Sequence, residues 1–361
     1  MTSLALSGAL AVTAAVLTPS ATAEVTADRE GAAGRTAAIV ATYNLNYNSA
    51  ADPRTCVSPE VAPDDPRFCL DLYKKDTGRS KKPLVVLIHG GGWIDGASRR
   101  TAKFVRVAKD LAKAGYVALI MDYPKASDDP RVVGTTMQED AVEEAVAWAK
   151  ANRRTYGINP SKVSFIGGSS GGQLSLLAAF NANQATPGKI TMAYSLSGPV
   201  DMWKDINALQ TGAALPNEKD EGPPGYRNIE LYLGCDWDGA AAPKCQEAQA
   251  KAVSPLYYGK DWTPGDPGIS DSSCPLVRIT RARTSDPPED LAEAKALDDA
   301  LWLRGCVTDP LVPAKDDPQV LVHDLPGPEH GFAQWPVIGP DVIADLDAHM
   351  KPAPPPPPGA S

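Results

Sequence analysis

The chain has 361 residues, of which 43% are apolar and 22% are charged, so it can bury a sizeable core in one large α/β domain or two smaller ones. Its formal net charge is −9, from 44 acidic and 35 basic residues, and no long basic run is present. This charge argues against nucleic acid as a partner and would repel polyanionic substrates. The simplest explanation of the negative charge is that it keeps the protein soluble.

The two ends of the chain differ in composition from the rest. Residues 1–23 are small and apolar and end in an A-T-A sequence, which is typical of the cleavage site of a secretion signal. Ser, Thr and Pro interrupt this stretch, which argues against a stable membrane anchor. Residues 351–361 form a proline-rich tail that favours an extended conformation and cannot pack. We therefore expect a secreted, extracellular protein whose folded domain occupies residues 24–350.

The predicted elements, in chain order, begin with two segments, 37–46 and 69–74, whose partial alternation predicts half-exposed edge strands. Continuous apolar runs, typical of strands buried on both faces of a parallel sheet, follow at Leu84–Ile88, Tyr116–Met121, Val163–Ile166, Ile190–Leu196, Leu276–Ile279 and Val320–Val322. Helical stretches lie between and after them, at Thr101–Ala114, Thr135–Arg154, Ser170–Asn181, Glu289–Arg304 and Pro340–Met350. This alternation predicts a mostly parallel, doubly wound sheet with helices on both faces.

Residues 201–270 break the alternation, because they contain many Pro, Gly and Trp residues and no clean strand. Their position after the strand that ends at Leu196 predicts a cap or lid over the carboxyl ends of the strands. Its large aromatic residues are Trp203, Tyr226, Trp237, Tyr257, Tyr258 and Trp262. They could form a wall for a ring or sugar, but large aromatics are more often packing residues, so the interpretation as a small core of the cap is favoured.

Six cysteines lie after the predicted cleavage site, and an even number in an exported chain predicts disulfides. Proximity in sequence favours the pairs Cys56–Cys69 and Cys235–Cys245. Cys274 enters a predicted strand and Cys306 follows the helix that returns from it, so both should lie at the starting end of that strand and pair. No C-x-x-C spacing is present, which argues against a zinc site, and we expect no metal or organic cofactor.

A nucleophilic serine is predicted at Gly167–Gly172, where the sequence G-G-S-S-G-G joins a predicted strand to a predicted helix. Such a sharp turn thrusts a serine hydroxyl out of the sheet, and glycines relieve its crowding. Both Ser169 and Ser170 fit G-x-S-x-G. A second glycine-rich segment, His89–Trp93, follows the strand Leu84–Ile88 and can bring backbone N–H groups close to a substrate oxygen.

The base and the acid that a serine nucleophile needs should follow it along the chain, the acid first. Of the four histidines, His89 precedes the serine, His323 lies in the last predicted strand and His349 lies in the last helix, which leaves His330 in a Gly/Pro loop after that strand. The acid should follow the strand Leu276–Ile279. Asp286 is favoured over Asp290, because Glu289 and Asp290 are typical of the first turn of a helix.

Four of these segments together resemble the α/β-hydrolase esterases with an H-G-G-G loop: His89–Trp93, Gly167–Leu174, Asp286-Pro287 and His330–Phe332. That family includes hormone-sensitive-lipase-like carboxylesterases and secreted acetyl- and feruloyl-type esterases. The likeness extends from about Asp71 to Met350. Two departures stand out: Gly168 replaces the acidic residue usual beside the nucleophile, and the acid loop reads R-T-S-D.

The resemblance implies roles for individual residues. Its motif G-D-S-A-G-G-N-L has the nucleophile at the third position, which selects Ser169, and Ser170 then supplies a backbone N–H to the oxyanion. The resemblance also implies Gly91 and Gly92 as the other donors. We therefore expect a secreted serine carboxylesterase that acts on small or polysaccharide-linked esters, acetyl or feruloyl esters of plant polysaccharide among them. The alternatives are an exopeptidase or amidase of the same fold, and a secreted binding protein without activity.

Overall fold

The computed structural model describes residues 37–50, 56, 68–78, 81–95, 99–126, 134, 136–186, 188–211, 224–236, 243–257, 274–284, 286, 289–303 and 320–352. The predicted secretion signal (1–23), the tail beyond residue 352, Cys306, Trp237, Tyr258 and Trp262 lie outside these residues. Of the side chains of Tyr226, Glu289 and Asp290 nothing is described.

Within the described residues, eight strands form one sheet in the order β1-β2-β4-β3-β5-β6-β7-β8. The strands are β1 (Ile39–Asn46), β2 (Cys69–Lys75), β3 (Lys82–Ile88), β4 (Val117–Met121), β5 (Ile158–Gly168), β6 (Met192–Leu196), β7 (Leu276–Ala282) and β8 (Val320–Leu325). The strand β2 is antiparallel to both neighbours, and every other pairing is parallel.

Helices cover both faces of this sheet. The helices of the described residues are α1 (Ala102–Lys113), α2 (Met137–Ala151), α3 (Arg153–Tyr156), α4 (Ser170–Ala185), α5 (Met202–Thr211), α6 (Pro224–Leu233), α7 (Glu247–Ala252), α8 (Glu289–Leu303) and α9 (Trp335–Met350). Side chains of α1 and α9 form one apolar cluster with one face of the sheet, and those of α2, α4 and α8 form another with the opposite face. Successive residues of β3 alternate between the two clusters, which explains its unbroken apolar sequence. The predicted α/β-hydrolase fold is confirmed.

The prediction that residues 69–74 form a half-exposed edge strand is wrong. The strand β2 lies between β1 and β4, and Cys69 to Tyr73 are all buried. Its polar Asp71 produced the alternating pattern, yet this carboxylate is completely buried against two cations, Arg99 at 3.1 Å and Arg100 at 3.2 Å. A buried charge needs such partners, and here they come from a turn about 28 residues further along the chain.

Two helix boundaries also differ from the prediction. The last helix begins at Trp335 rather than Pro340, and Pro336 stands in its first turn, where proline is well tolerated. The predicted helix over residues 135–154 ends at Ala151, and a separate short helix, α3, follows Asn152.

Disulfides join Cys56 to Cys69 and Cys235 to Cys245, with Cα atoms 5.8 and 4.8 Å apart. Cys274 is also disulfide-bonded. The helices α5, α6 and α7 lie in the segment interpreted above as a cap, residues 201–270, which we call the cap segment. No helix among the described residues has the length and apolarity needed to cross a bilayer.

Candidate active site

Ser169 lies at the junction of β5 and α4, in a backbone conformation that non-glycine residues rarely adopt. Its φ is 54° and its ψ is −127°. Its N–H donates a hydrogen bond of 2.8 Å to the carbonyl of Leu196, at the end of β6. A Cβ atom at Gly171 would collide with the backbone of Ile88 and His89, so the start of α4 packs directly on the end of β3. These contacts hold Ser169 at the carboxyl edge of the sheet.

A hydrogen bond joins His330 to Asp286 at the same edge of the sheet. Nδ1 of His330 lies 2.7 Å from Oδ1 of Asp286. The other carboxylate oxygen accepts a hydrogen bond of 2.6 Å from the N–H of Ala282. Because an ionised carboxylate only accepts hydrogen bonds, Nδ1 carries the proton and Nε2 is left as the basic nitrogen. The side chain of Asp286 is buried, whereas that of His330 is 49% exposed.

The segment after His330 packs against the turn that carries Ser169. A Cβ atom at Gly331, whose φ is 58°, would lie 3.6 Å from the backbone nitrogen of Ser169. A Cβ atom at Gly168 would lie 2.8 Å from the ring of Phe332. The ring therefore fills the space that a side chain at position 168 would need, which accounts for the glycine there. Within the described residues, the Ser169 hydroxyl and His330 form no direct hydrogen bond, and such bonds often tighten only when substrate binds.

A series of hydrogen-bonded polar side chains leads from β7 to the Asp286 carboxylate. Thr280 in β7 donates to Oε1 of Gln334, and Nε2 of Gln334 donates to the hydroxyl of Ser197 at 2.7 Å. The Ser197 hydroxyl in turn contacts Asp286. Ser197 and Gln334 were not predicted from the sequence, because they lie 137 residues apart in the chain and nothing in either local sequence marks them.

The pKa of Asp286 is set by its burial and by the hydrogen bonds that its carboxylate accepts. Burial alone would raise the pKa, but hydrogen bonds from His330, Ser197 and the Ala282 N–H outweigh burial and lower it from its ordinary value. The carboxylate is therefore ionised at neutral pH. A negative charge beside Nδ1 orients the imidazole and stabilises its protonated form.

The loop after β3 provides unused N–H groups next to Ser169. Its residues Gly91, Gly92 and Trp93 all have positive φ values, of 125°, 58° and 63°. A Cβ atom at Gly90 would lie 2.9 Å from Cβ of Ser169, so this loop touches the serine. In the described part of the chain, no backbone hydrogen bond uses the N–H groups of Gly91, Gly92 or Ser170, which is the first residue of α4. Such groups can bind a developing oxyanion.

His89 supports this loop rather than acting as a base. It is buried, its Nδ1 lies 2.7 Å from the carbonyl of Gly90, and its ring stacks on Tyr123 with centroids 4.2 Å apart. Burial lowers its pKa to about 4, so the ring is neutral at physiological pH. The Tyr123 hydroxyl donates to the carbonyl of His89 at 2.9 Å and fixes the start of the loop.

The cap segment meets the same loop through aromatic contacts. Trp93 stacks on Tyr232 of α6 with centroids 5.0 Å apart, and its Nε1 donates to Gln173. This stack was not predicted from the sequence. Of the cap aromatics named above, Trp203 and Tyr257 are partly buried against the main apolar core, which agrees with a packing role.

The described residues contain no group of three or more His, Cys, Asp and Glu side chains placed to hold a metal ion. The arrangement that they do contain is a strained serine, a carboxylate-bound histidine and a set of free N–H donors at one edge of the sheet. This arrangement can support nucleophilic attack on an acyl carbonyl.

Comparison with known proteins agrees with this chemistry. The model of the BD-FAE family matches residues 70–264, which is more than half of the chain. Esterase LipC of Mycobacterium tuberculosis is 34% identical over 123 residues, which are 33% of this chain and 28% of LipC. A probable isoprenylcysteine alpha-carbonyl methylesterase of Oryza sativa subsp. japonica, ICMEL1, is 30% identical over 254 residues, which are 68% of this chain and 53% of that protein. The chain thus spans about a quarter of the length of LipC and half of the rice protein.

Solved structures share the fold. Esterase B from Lactobacillus rhamnosis superimposes with a TM-score of 0.57 at 18% identity, covering 87% of this chain and 86% of that one. A truncated carbohydrate esterase from gut microbiota superimposes with a TM-score of 0.55 at 17% identity, covering 88% of this chain and 100% of that one. At these identities the likeness shows the architecture alone.

Proposed function

The chain belongs to the BD-FAE family, and on that basis we propose that it is a serine esterase whose nucleophile is Ser169. The observation that carries the proposal is the Asp286–His330 pair, whose loop packs directly against the strained turn at Ser169. The names of relatives as esterases support the reaction type.

In the proposed mechanism, Oγ of Ser169 attacks the ester carbonyl carbon and its proton passes to Nε2 of His330. Asp286 accepts the Nδ1 hydrogen bond throughout and stabilises the imidazolium. The N–H groups of Gly91, Gly92 and Ser170 bind the tetrahedral oxyanion, and each contributes about 3 kcal/mol of transition-state stabilisation. His330 returns the proton to the departing alcohol. Water, activated by the same imidazole, then hydrolyses the acyl-enzyme.

The proposed substrates are esters of small acyl groups, with acetyl or feruloyl esters of plant polysaccharide as the leading class. One solved structure of the same fold is named a carbohydrate esterase, which supports this choice.

We further propose that the protein is exported, because residues 1–23 fit a secretion signal and disulfides persist in oxidising compartments.

The test is hydrolysis of p-nitrophenyl esters from acetate to palmitate, with methyl ferulate and acetylated xylan beside them. We expect turnover of the short esters. Ser169→Ala should lower kcat by several orders of magnitude and leave only the residual rate that oxyanion donors and substrate binding provide. Cleavage of a p-nitroanilide amide in preference to every ester would favour the amidase alternative. A folded protein that cleaves no member of the panel would overturn the proposal in favour of a binding protein.

A further inference from the structure

Asn228, on α6 of the cap segment, lies directly over the glycine loop. A Cβ atom at Gly92 would fall on the amide of Asn228, 3.0 Å from its Cγ and 3.1 Å from its Cβ. The side chain of Asn228 therefore occupies the space that any larger residue at position 92 would fill. The N–H of Gly92 is one of the donors proposed above for the oxyanion. The amide of Asn228 therefore lies next to the place proposed for the carbonyl of the substrate.

The side chain of Asn228 is half-buried, and no hydrogen bond joins its amide to any residue that the structure describes. Another polar side chain of the same helix does have a partner. Tyr232, one turn later on the same face, donates its hydroxyl proton to Glu139, and its carbonyl accepts from the N–H of Gly134 at 2.8 Å. Side-chain amides that leave bulk water usually find a partner. A side-chain amide that has no such partner and lies beside the proposed reaction centre can hydrogen-bond a ligand.

The packing around Tyr232 explains how a cap residue can hold a defined position there. Its ring stacks on Trp93, which directly follows Gly92 in the loop, at a centroid distance of 5.0 Å and an interplanar angle of 16°. Trp93 is in turn fixed by its hydrogen bond of 2.9 Å to Gln173 in α4. The aromatic stack therefore ties α6 to the loop one helical turn from Asn228, so that Asn228 approaches the site from a rigid element.

From this geometry we infer that Asn228 is a specificity-determining residue that hydrogen-bonds the alcohol part of a carbohydrate ester. The inference rests on the proposed esterase function and adds a substrate contact to it. A side-chain amide both donates and accepts, as does a sugar hydroxyl next to an ester oxygen. A substrate whose carbonyl oxygen rests on Gly91 and Gly92 brings the groups flanking that carbonyl within reach of Asn228. The p-nitrophenyl group of p-nitrophenyl acetate carries no hydroxyl, so this ester cannot donate a hydroxyl hydrogen bond to the amide.

The experiment compares Asn228→Leu, which keeps the size of the side chain and removes its hydrogen bonds, with the unmodified protein. An acetylated xylo-oligosaccharide and p-nitrophenyl acetate serve as the two substrates. Asn207→Leu, which changes an exposed asparagine on α5 of the same cap segment, is the matched control. Thermal unfolding of each variant establishes that it is folded, and Asn228→Ala replaces Asn228→Leu if the latter is not.

We expect kcat/KM for the sugar ester to fall about tenfold in Asn228→Leu, mainly through KM, as for the loss of one or two neutral hydrogen bonds. The value for p-nitrophenyl acetate should stay within about twofold, because that substrate lacks the contact. Equal losses on both substrates, or none on either, would overturn the inference. An unmodified protein that cleaves only p-nitrophenyl acetate would overturn it while leaving the proposed esterase function intact. Failure on both substrates would overturn the proposed function itself.

Discussion

Asp286 is the residue whose surroundings are most specific to the proposed reaction. Three donors converge on one buried carboxylate, namely the imidazole of His330, the hydroxyl of Ser197 and the N–H of Ala282. An ionised acid in this position selects the histidine tautomer that leaves Nε2 free to take a proton. A neutral side chain of the same shape would remove both the charge and that selection.

Asp286→Asn should therefore lower kcat by about 10⁴ while leaving the fold intact. Asp290→Asn is the matched control, because Asp290 lies in the first turn of α8, where an acid contributes at most about 1 kcal/mol to helix stability. Steady-state kinetics on p-nitrophenyl acetate, with circular dichroism to establish folding, provide the measurement. The reverse order of effects would reassign the acid to Asp290.

The site residues differ in how far the sequence alone could find them. Ser169 and His330 follow from motifs, because glycine-rich turns and a loop after the last strand are visible locally. Asp286 was favoured over Asp290 because residues 289 and 290 were expected to begin a helix, and α8 does begin at Glu289. Ser197, Gln334 and Asn228 were not found, because each takes its place through contacts with segments far away in the chain. Such contacts leave no local pattern.

At the scale of elements, the short helix that follows His330, Gly331–Gln334, is positioned by its fit against the strand-to-helix turn at Ser169. Phe332 is 7% exposed, packs against Phe104 of α1 with centroids 4.6 Å apart, and covers Gly168. The absence of a side chain at 168 is therefore what lets the histidine loop approach the serine. A side chain there would push the two apart.

Gly168→Ala should lower the free energy of unfolding by about 1–3 kcal/mol, the range for overpacking a buried contact. The cost should be smaller in a Phe332→Ala background, where the ring that meets the new methyl group is gone. Urea unfolding of the four members of this double-mutant cycle measures the coupling. Equal costs in both backgrounds would show that Phe332 does not set the space at 168.

Glu139 in α2 links the main domain to α6 of the cap segment through the Tyr232 hydroxyl. Burial raises the pKa of Glu139 to about 7, against the lowering effect of the hydrogen bond from Tyr232. A carboxyl whose folded-state pKa is raised favours the folded state when protonated. Its contribution is present below its unfolded pKa of 4.5 and disappears as the pH rises through about 7.

The difference in unfolding free energy between the unmodified protein and Glu139→Gln should thus shift by up to about 3 kcal/mol between pH 4.5 and pH 8. The unmodified protein should lose stability relative to the variant as the pH rises, because glutamine cannot ionise. Chemical unfolding of both proteins across this range measures the difference. A difference that stays constant, or that changes in the opposite direction, would contradict the raised pKa.

For the whole molecule, strand and helix alternation was enough to predict the sheet and its two helical layers. The prediction failed at β2, because a buried ion pair with Arg99 imitates the polar side of an exposed strand. Composition set residues 201–270 apart from the alternating elements, but the contacts of this segment with the loop after β3 cannot be predicted from composition. The repeating pattern of apolar and polar residues predicts the sheet and the helices on its two faces. It does not predict which individual side chains meet between them.

The disulfide between Cys235 and Cys245 closes a short loop directly after α6, and both sulfurs lie in the main apolar cluster. Replacing both cysteines by serine should lower the free energy of unfolding by about 3 kcal/mol, from the entropy gained by the unfolded chain. Thermal unfolding of the oxidised protein and the double variant measures the change. An unchanged midpoint would mean that this bridge does not stabilise the fold.

The most direct test of the whole account is to treat the folded protein with a fluorophosphonate probe and to locate the modified residue by peptide mass spectrometry. We expect a single adduct on Ser169, absent in Ser169→Ala and retained in Ser170→Ala, because only the backbone N–H of Ser170 takes part. An adduct on Ser170, or a folded protein that the probe does not modify, would contradict it.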